Sequence, residues 1–143
     1  MEEEKATDEW WKEKLLIDGF NVACNNISDS SLKVGDESIS AISFQTTAKG
    51  NLPHLFYIFR NTEPLGIEFK TVACYVTGDL LFIKLQIGKE GMKHSKCHHN
   101  LGATAACTKR MTEATKGIGQ KSRKGATKDC LIFDSWFSSK KVG

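Results

Sequence analysis

No stretch of the 143 residues approaches the roughly eighteen consecutive apolar positions that a membrane-spanning helix needs. The opening Met1-Glu2-Glu3-Glu4 has neither the basic start nor the apolar centre of an export signal. Together these absences argue for a soluble, non-secreted protein with no membrane partner. A disulfide scaffold is excluded on similar grounds. The five cysteines, Cys24, Cys74, Cys97, Cys107 and Cys130, are odd in number and irregularly spaced, so they read as reduced thiols, mostly buried. A nucleotide-binding phosphate loop is missing as well: the run Gly117-Ile118-Gly119-Gln120-Lys121-Ser122 lacks the glycine that must directly precede its lysine. Global disorder is excluded by composition, since 40% of residues are hydrophobic and 26% charged. A chain of this length and make-up can bury one real core.

What is present is unevenly distributed. Residues 1 to 83 carry 7 Lys and Arg against 13 Asp and Glu, a net of −6, whereas residues 84 to 143 carry 13 against 4, a net of +9. A basic half of this kind can face a polyanion, because neutralising phosphates releases their counterions. It can equally be a solvated lysine-rich surface.

Along the chain, Thr7 or Asp8 can cap a helix through Trp10, Trp11, Leu15, Leu16 and Phe20, which would dock on whatever follows. Residues 1–30 therefore read as an N-terminal helical docking segment, closed by the turn formers Asn25-Asn26-Ile27-Ser28-Asp29-Ser30-Ser31. A short strand then runs from Leu32 to a carboxylate at Asp36. The aromatic run Leu55-Phe56-Tyr57-Ile58-Phe59 is more strand than helix at its length and is broken by Pro64. Gly66 to Val76 and Asp79 to Ile87 form a β-hairpin about Thr77-Gly78. The residues from about Ser95 to Lys116 read as a helix with Leu101, Ala105, Thr108 and Met111 or Thr112 along one side. A flexible basic loop follows, and then the apolar run Cys130-Leu131-Ile132-Phe133 ends in Asp134.

Two strands that end in carboxylates, joined through a hairpin and a crossover helix, can pair in parallel and bring Asp36 beside Asp134. The expected fold class is thus α/β, a ribonuclease H-like mixed sheet with flanking helices over residues 31–143. Carboxylates on adjacent strands can hold divalent cations for phosphoryl chemistry. Each acid also has a plain structural reading, Asp36 as a turn residue after Gly35 and Asp134 as a helix cap.

Five blocks then carry a resemblance: Asp36-Glu37-Ser38-Ile39-Ser40-Ala41; Glu63-Pro64-Leu65-Gly66-Ile67-Glu68-Phe69-Lys70-Thr71; Gly88-Lys89-Glu90-Gly91-Met92; Leu101-Gly102-Ala103-Thr104-Ala105-Ala106-Cys107-Thr108; and Phe133-Asp134-Ser135-Trp136-Phe137. In this order they resemble piggyBac-type DDE transposases and the proteins derived from them. The resemblance implies a ribonuclease H-like catalytic domain that cuts and joins DNA at transposon ends. It implies catalytic and metal-binding roles for Asp36 and Asp134, Mg²⁺ or Mn²⁺ as cofactor, transposon-end DNA as partner, nuclear localisation and a possible homo-oligomer. Lys121, Arg123, Lys124 and Lys128 are the candidates for contacts to the DNA backbone.

The departures from the family pattern matter too. Its remaining catalytic acid lies well downstream of the block matching Asp134, and the sequence ends nine residues after that aspartate. Glu37 is a poor substitute, because a continuing strand would turn it to the opposite face. The expectation is a partial catalytic domain, incomplete at its C-terminus and inactive alone, or else a non-catalytic transposon-derived module that binds DNA or protein. His94, Cys97, His98, His99 and Cys107 offer zinc ligands at a spacing that matches no zinc motif, so no zinc is expected.

Overall fold

A strand can be covered on both faces only if its side chains suit two different neighbours, and Leu65–Cys74 is such a strand. Gly66, Glu68, Lys70, Val72 and Cys74 project to one face and Ile67, Phe69, Thr71 and Ala73 to the other. The structure, a computed structural model, describes residues 10–24, 31–41, 55–57, 59, 65–86, 98–118 and 129–134. In chain order the elements are α1 (Trp11–Cys24), β1 (Leu32–Ala41), β2 (Phe56–Tyr57), β3 (Leu65–Cys74), β4 (Leu80–Leu85), α2 (His98–Leu101), α3 (Ala103–Thr115) and β5 (Cys130–Phe133).

The five strands form one mixed sheet with β3 at its centre. β1 runs antiparallel along one edge of β3, from Lys33 opposite Cys74 to Ala41 opposite Gly66. The other edge is shared, β2 pairing at Leu65 and Gly66 and β4 from Phe69 to Ala73. β5 lies outside β1 and is parallel to it, with Leu32 opposite Cys130 and Gly35 opposite Phe133. The path from β4 through α3 to β5 is the crossover that parallel pairing demands.

One layer of the core lies between the sheet and α3. Val72, Cys107 and Met111 are buried together, with Phe82, Leu131 and Phe133 packed around them, and Cys74, Leu81 and Ile118 form a second cluster alongside. Leu81 reaches its cluster through a register shift in β4, where Val72 faces Phe82 but Ala73 faces Leu80. On the opposite face of the sheet, α1 crosses β4 and leaves a groove of about 380 Å³ lined by Trp10, Ile17, Ile67, Phe69, Ile83 and Leu85 among others.

Several expectations are corrected by this arrangement. β1 does not end at its carboxylate but continues through Asp36 to Ala41, because β3 offers backbone partners as far as Gly66. The single helix expected from Ser95 to Lys116 is two, broken at Gly102, whose φ of 79° and ψ of 174° no helix contains. The buried side of α3 is Ala105, Ala106, Cys107, Met111 and Thr115, with Thr108 only partly buried and Thr112 exposed. The threonine hydroxyls of 108, 112 and 115 donate to the carbonyls four residues earlier, so none needs a partner on the sheet. The two-residue turn is longer, since the strands stop at Cys74 and resume at Leu80. Gly78, at φ 77°, takes the left-handed conformation that lets its N–H donate to the Cys74 carbonyl at 2.9 Å. On α1, Leu15 and Leu16 are exposed and the buried positions are Cys24 and, just before the helix, Trp10. Of the described cysteines, all unbridged, Cys24, Cys74 and Cys107 are buried and Cys130 is exposed.

Candidate functional site

Parallel strands carry residues at one level to the same face, so the β1–β5 register decides where the two acids fall. Gly35 stands opposite Phe133, the last paired residue of β5. A Cβ on Gly35 would lie 2.2 Å from the Phe133 ring, so that ring covers Gly35 on the α3 side of the sheet. The observed pairing stops there: Asp36 is the next residue of β1, and Asp134 is the first residue after β5. Both are exposed. Asp36 is further held by its surroundings: its Oδ1 accepts the Glu37 N–H at 2.7 Å, and its carbonyl accepts the hydroxyl of its cross-strand partner Thr71 at 3.2 Å. The strand pairing read from the sequence is present, with Asp36 inside its strand and Asp134 directly after its own. The apolar groove begins beside this position, at Ser38 and Thr71.

Glu37, turned to the α3 face, pairs instead with Lys70. Lys70 lies opposite Glu37 on β1, is 3% exposed, and also pairs with Glu68 on its own strand. Burial pushes the Lys70 ammonium down to about 8, against the upward pull of Cys107 and Asp36. Burial likewise raises the Glu68 carboxyl, and it lowers Lys84, which the nearby Arg110 lowers further and Cys107 partly offsets. This charged row is structural support beneath the strand that carries Asp36. It is not legible in the sequence, because a lysine and a glutamate within a strand ordinarily mark its solvent side.

A second buried cation went unread in the sequence. Lys33, 1% exposed, donates to the Thr115 carbonyl at 2.7 Å and meets Asp129 Oδ2 at 3.3 Å. The same Asp129 oxygen accepts the Gly117 N–H at 2.8 Å. The C-terminal end of α3, β1 and the entry to β5 are thereby tied at one point, with a cation at the negative end of the helix. Lys121, Arg123, Lys124 and Lys128 belong to the stretch between these two tied ends and lie outside the described residues.

Among the described residues no group of three or more His, Cys, Asp or Glu could hold a metal ion. Of the histidine and cysteine candidates, His94 and Cys97 lie outside the described residues, His99 is exposed, and Cys107 is buried against Met111. No described helix is long and apolar enough to cross a membrane.

No protein-family model matches the chain, and no curated protein matches it. Among solved structures the fold is similar to that of a piggyBac transposase, described as a synaptic complex with hairpin DNA by cryo-EM. The TM-score is 0.70 at 14% identity, over 96% of this chain and 25% of that one. The likeness is one of fold, and this chain spans about a quarter of the transposase's length.

Proposed function

We propose that this chain is part of the catalytic domain of a piggyBac-type cut-and-paste DNA transposase. On this reading its sheet is a ribonuclease H-like core over residues 31–143 and residues 1–30 are a docking segment. The observation that carries the reading is the parallel register of β1 with β5, whose last pair, Gly35 with Phe133, immediately precedes Asp36 and Asp134; continued by one residue, it would put the two carboxylates on one face. The fold likeness to a transposase supports it, as do the five sequence blocks that resemble the family.

Two exposed carboxylates so placed would suit a hard divalent cation in chemistry, though they are few for one that prefers six oxygens. Asp36 and Asp134 would hold Mg²⁺ or Mn²⁺, which when bound supplies charge stabilisation at a transferring phosphate. Thr71 and the Glu37 amide hold the Asp36 backbone and carboxylate in place. The Glu37–Lys70–Glu68 row keeps that stretch of β1 pinned to β3, so the acid does not drift when charge accumulates on its face. Lys121, Arg123, Lys124 and Lys128 would follow the DNA backbone, giving affinity without base readout. Work on transposon ends implies a nuclear protein.

A non-catalytic transposon-derived module that binds DNA or protein is the second reading. Calorimetry separates the claims. Weak Mn²⁺ binding should be lost in the Asp36→Asn/Asp134→Asn double variant, and unchanged affinity would sink the assignment of the pair. Metal-dependent nicking of transposon-end DNA by this chain, abolished by Asp134→Asn, would rule out the non-catalytic reading.

A further inference from the structure

β4 is an edge strand: β3 pairs with one side of it, and no described strand pairs with the other. An edge presents backbone donors and acceptors that invite another strand. Here the invitation is answered by one side chain. The Asn21 amide Nδ2 donates to the Ile83 carbonyl at 2.9 Å, and Asn21 Oδ1 accepts the Ile83 N–H at 2.8 Å. A carboxamide thus makes the same two bonds, to the same residue, that an antiparallel neighbour would make.

The helix that brings Asn21 there is lightly seated. Cys24 is its only buried residue, although Trp10, just before it, is buried too. Leu15, Leu16 and Val22 are 60%, 77% and 66% exposed. α1 rests on β4, and part of the space beneath it is the groove of about 380 Å³. The strand it covers, Leu80-Leu81-Phe82-Ile83-Lys84-Leu85, has one charge in six residues and neither proline nor glycine, the composition of a segment that pairs readily with itself.

We propose that the outer edge of β4 is a latent strand-pairing site for a second copy of this chain, held shut by Asn21. The occupant follows from self-complementarity. Antiparallel pairing with Ile83 opposite Ile83 of the second copy uses the very N–H and C=O that Asn21 occupies. It also places each Lys84 opposite a Phe82, so the lysines do not face each other. Opening requires α1 to lift, and closing requires only the asparagine to return. The inference does not rest on the proposed transposase reading, since neither aspartate enters it.

The test is association of the full chain by sedimentation velocity. The wild type should be monomeric at micromolar concentration. Asn21→Asp, which keeps size and the acceptor but loses the donor to Ile83, should raise the association constant roughly five- to tenfold, and Asn21→Ala, which loses both bonds, further. Adding Ile83→Pro, which removes the outward N–H at a position an edge strand tolerates, should return either variant to monomer. Monomeric Asn21 variants would overturn the proposal. So would dimers that persist with Ile83→Pro, or a wild type as dimeric as its variants. Asn21 variants that unfold rather than associate would also overturn it, because α1 would then be part of the core and not a cover.

Discussion

At the scale of single residues, the informative positions are those where an ordinary side chain could not stand. Gly35 is one, because the Phe133 ring occupies the space of its missing Cβ. Gly35→Ala should push that ring out of the cluster around Val72 and Met111 and cost about 1–3 kcal/mol of stability by urea unfolding. In a Phe133→Leu background the same change should cost clearly less, because the two sites touch. Lys70 is another. At neutral pH Lys70→Met strands Glu37 and Glu68 without their cation and should destabilise by about 3–5 kcal/mol. The pH dependence has a definite sign. The folded ammonium titrates near 8 and the free side chain near 10.5. Between those values the unfolded chain therefore binds more protons, and Lys70 contributes increasing stability as pH rises. Relative to Lys70→Met, wild-type stability should climb by up to about 1.4 kcal/mol per pH unit from pH 8 upward, and a flat difference would refute the assignment. In the sequence Asp36 and Asp134 stood out because each follows an apolar run. Lys33 and Lys70 did not, because a lysine between apolar residues usually marks the solvent side of a strand.

At the scale of elements, α3 shows why periodicity found part of the buried face, Ala105 and Met111, and missed the rest. Cys107, Met111 and Thr115 recur every four residues and are buried, yet Thr108 and Thr112 look equally acceptable by composition. Only the side facing Val72 settles which row turns inward, and that contact joins residues far apart in the chain. The hairpin was legible because its signals are local. The parallel pairing of β5 was legible for a different reason: a crossover helix leaves few other topologies. The Lys33–Asp129 tie joins three elements and should behave as one unit. Lys33→Met should destabilise by about 3–5 kcal/mol, since it leaves Asp129 without its buried cation. Hydrogen exchange should then show the last turn of α3 and the amides of β5 loosening together, while β3 and β4 stay protected. Loosening confined to either element alone would mean the tie does not couple them.

At the scale of the whole molecule, charge and fold divide the labour: an acidic first half builds most of the sheet, and a basic second half, net +9, supplies the crossover and β5. Duplex DNA should bind with steep salt dependence. Replacing Lys121, Arg123, Lys124 and Lys128 with glutamine should flatten the log–log salt slope by about 3–4, as measured by fluorescence anisotropy at several ionic strengths. An unchanged slope would move the DNA contact elsewhere. This charge division was visible from a residue count, whereas the groove under α1 was not, since it arises from how one helix lies across a finished sheet. The Asn21–Ile83 bonds carry a last consequence, for synthesis on the ribosome. The two residues are 62 positions apart, so α1 is made early and must wait for the strand it covers. At about 5–20 residues per second the wait lasts several seconds. The helix precedes the edge on the chain, so the cover of β4 has already left the exit tunnel when the strand emerges, and its docking would shield that edge from neighbouring chains on the same message.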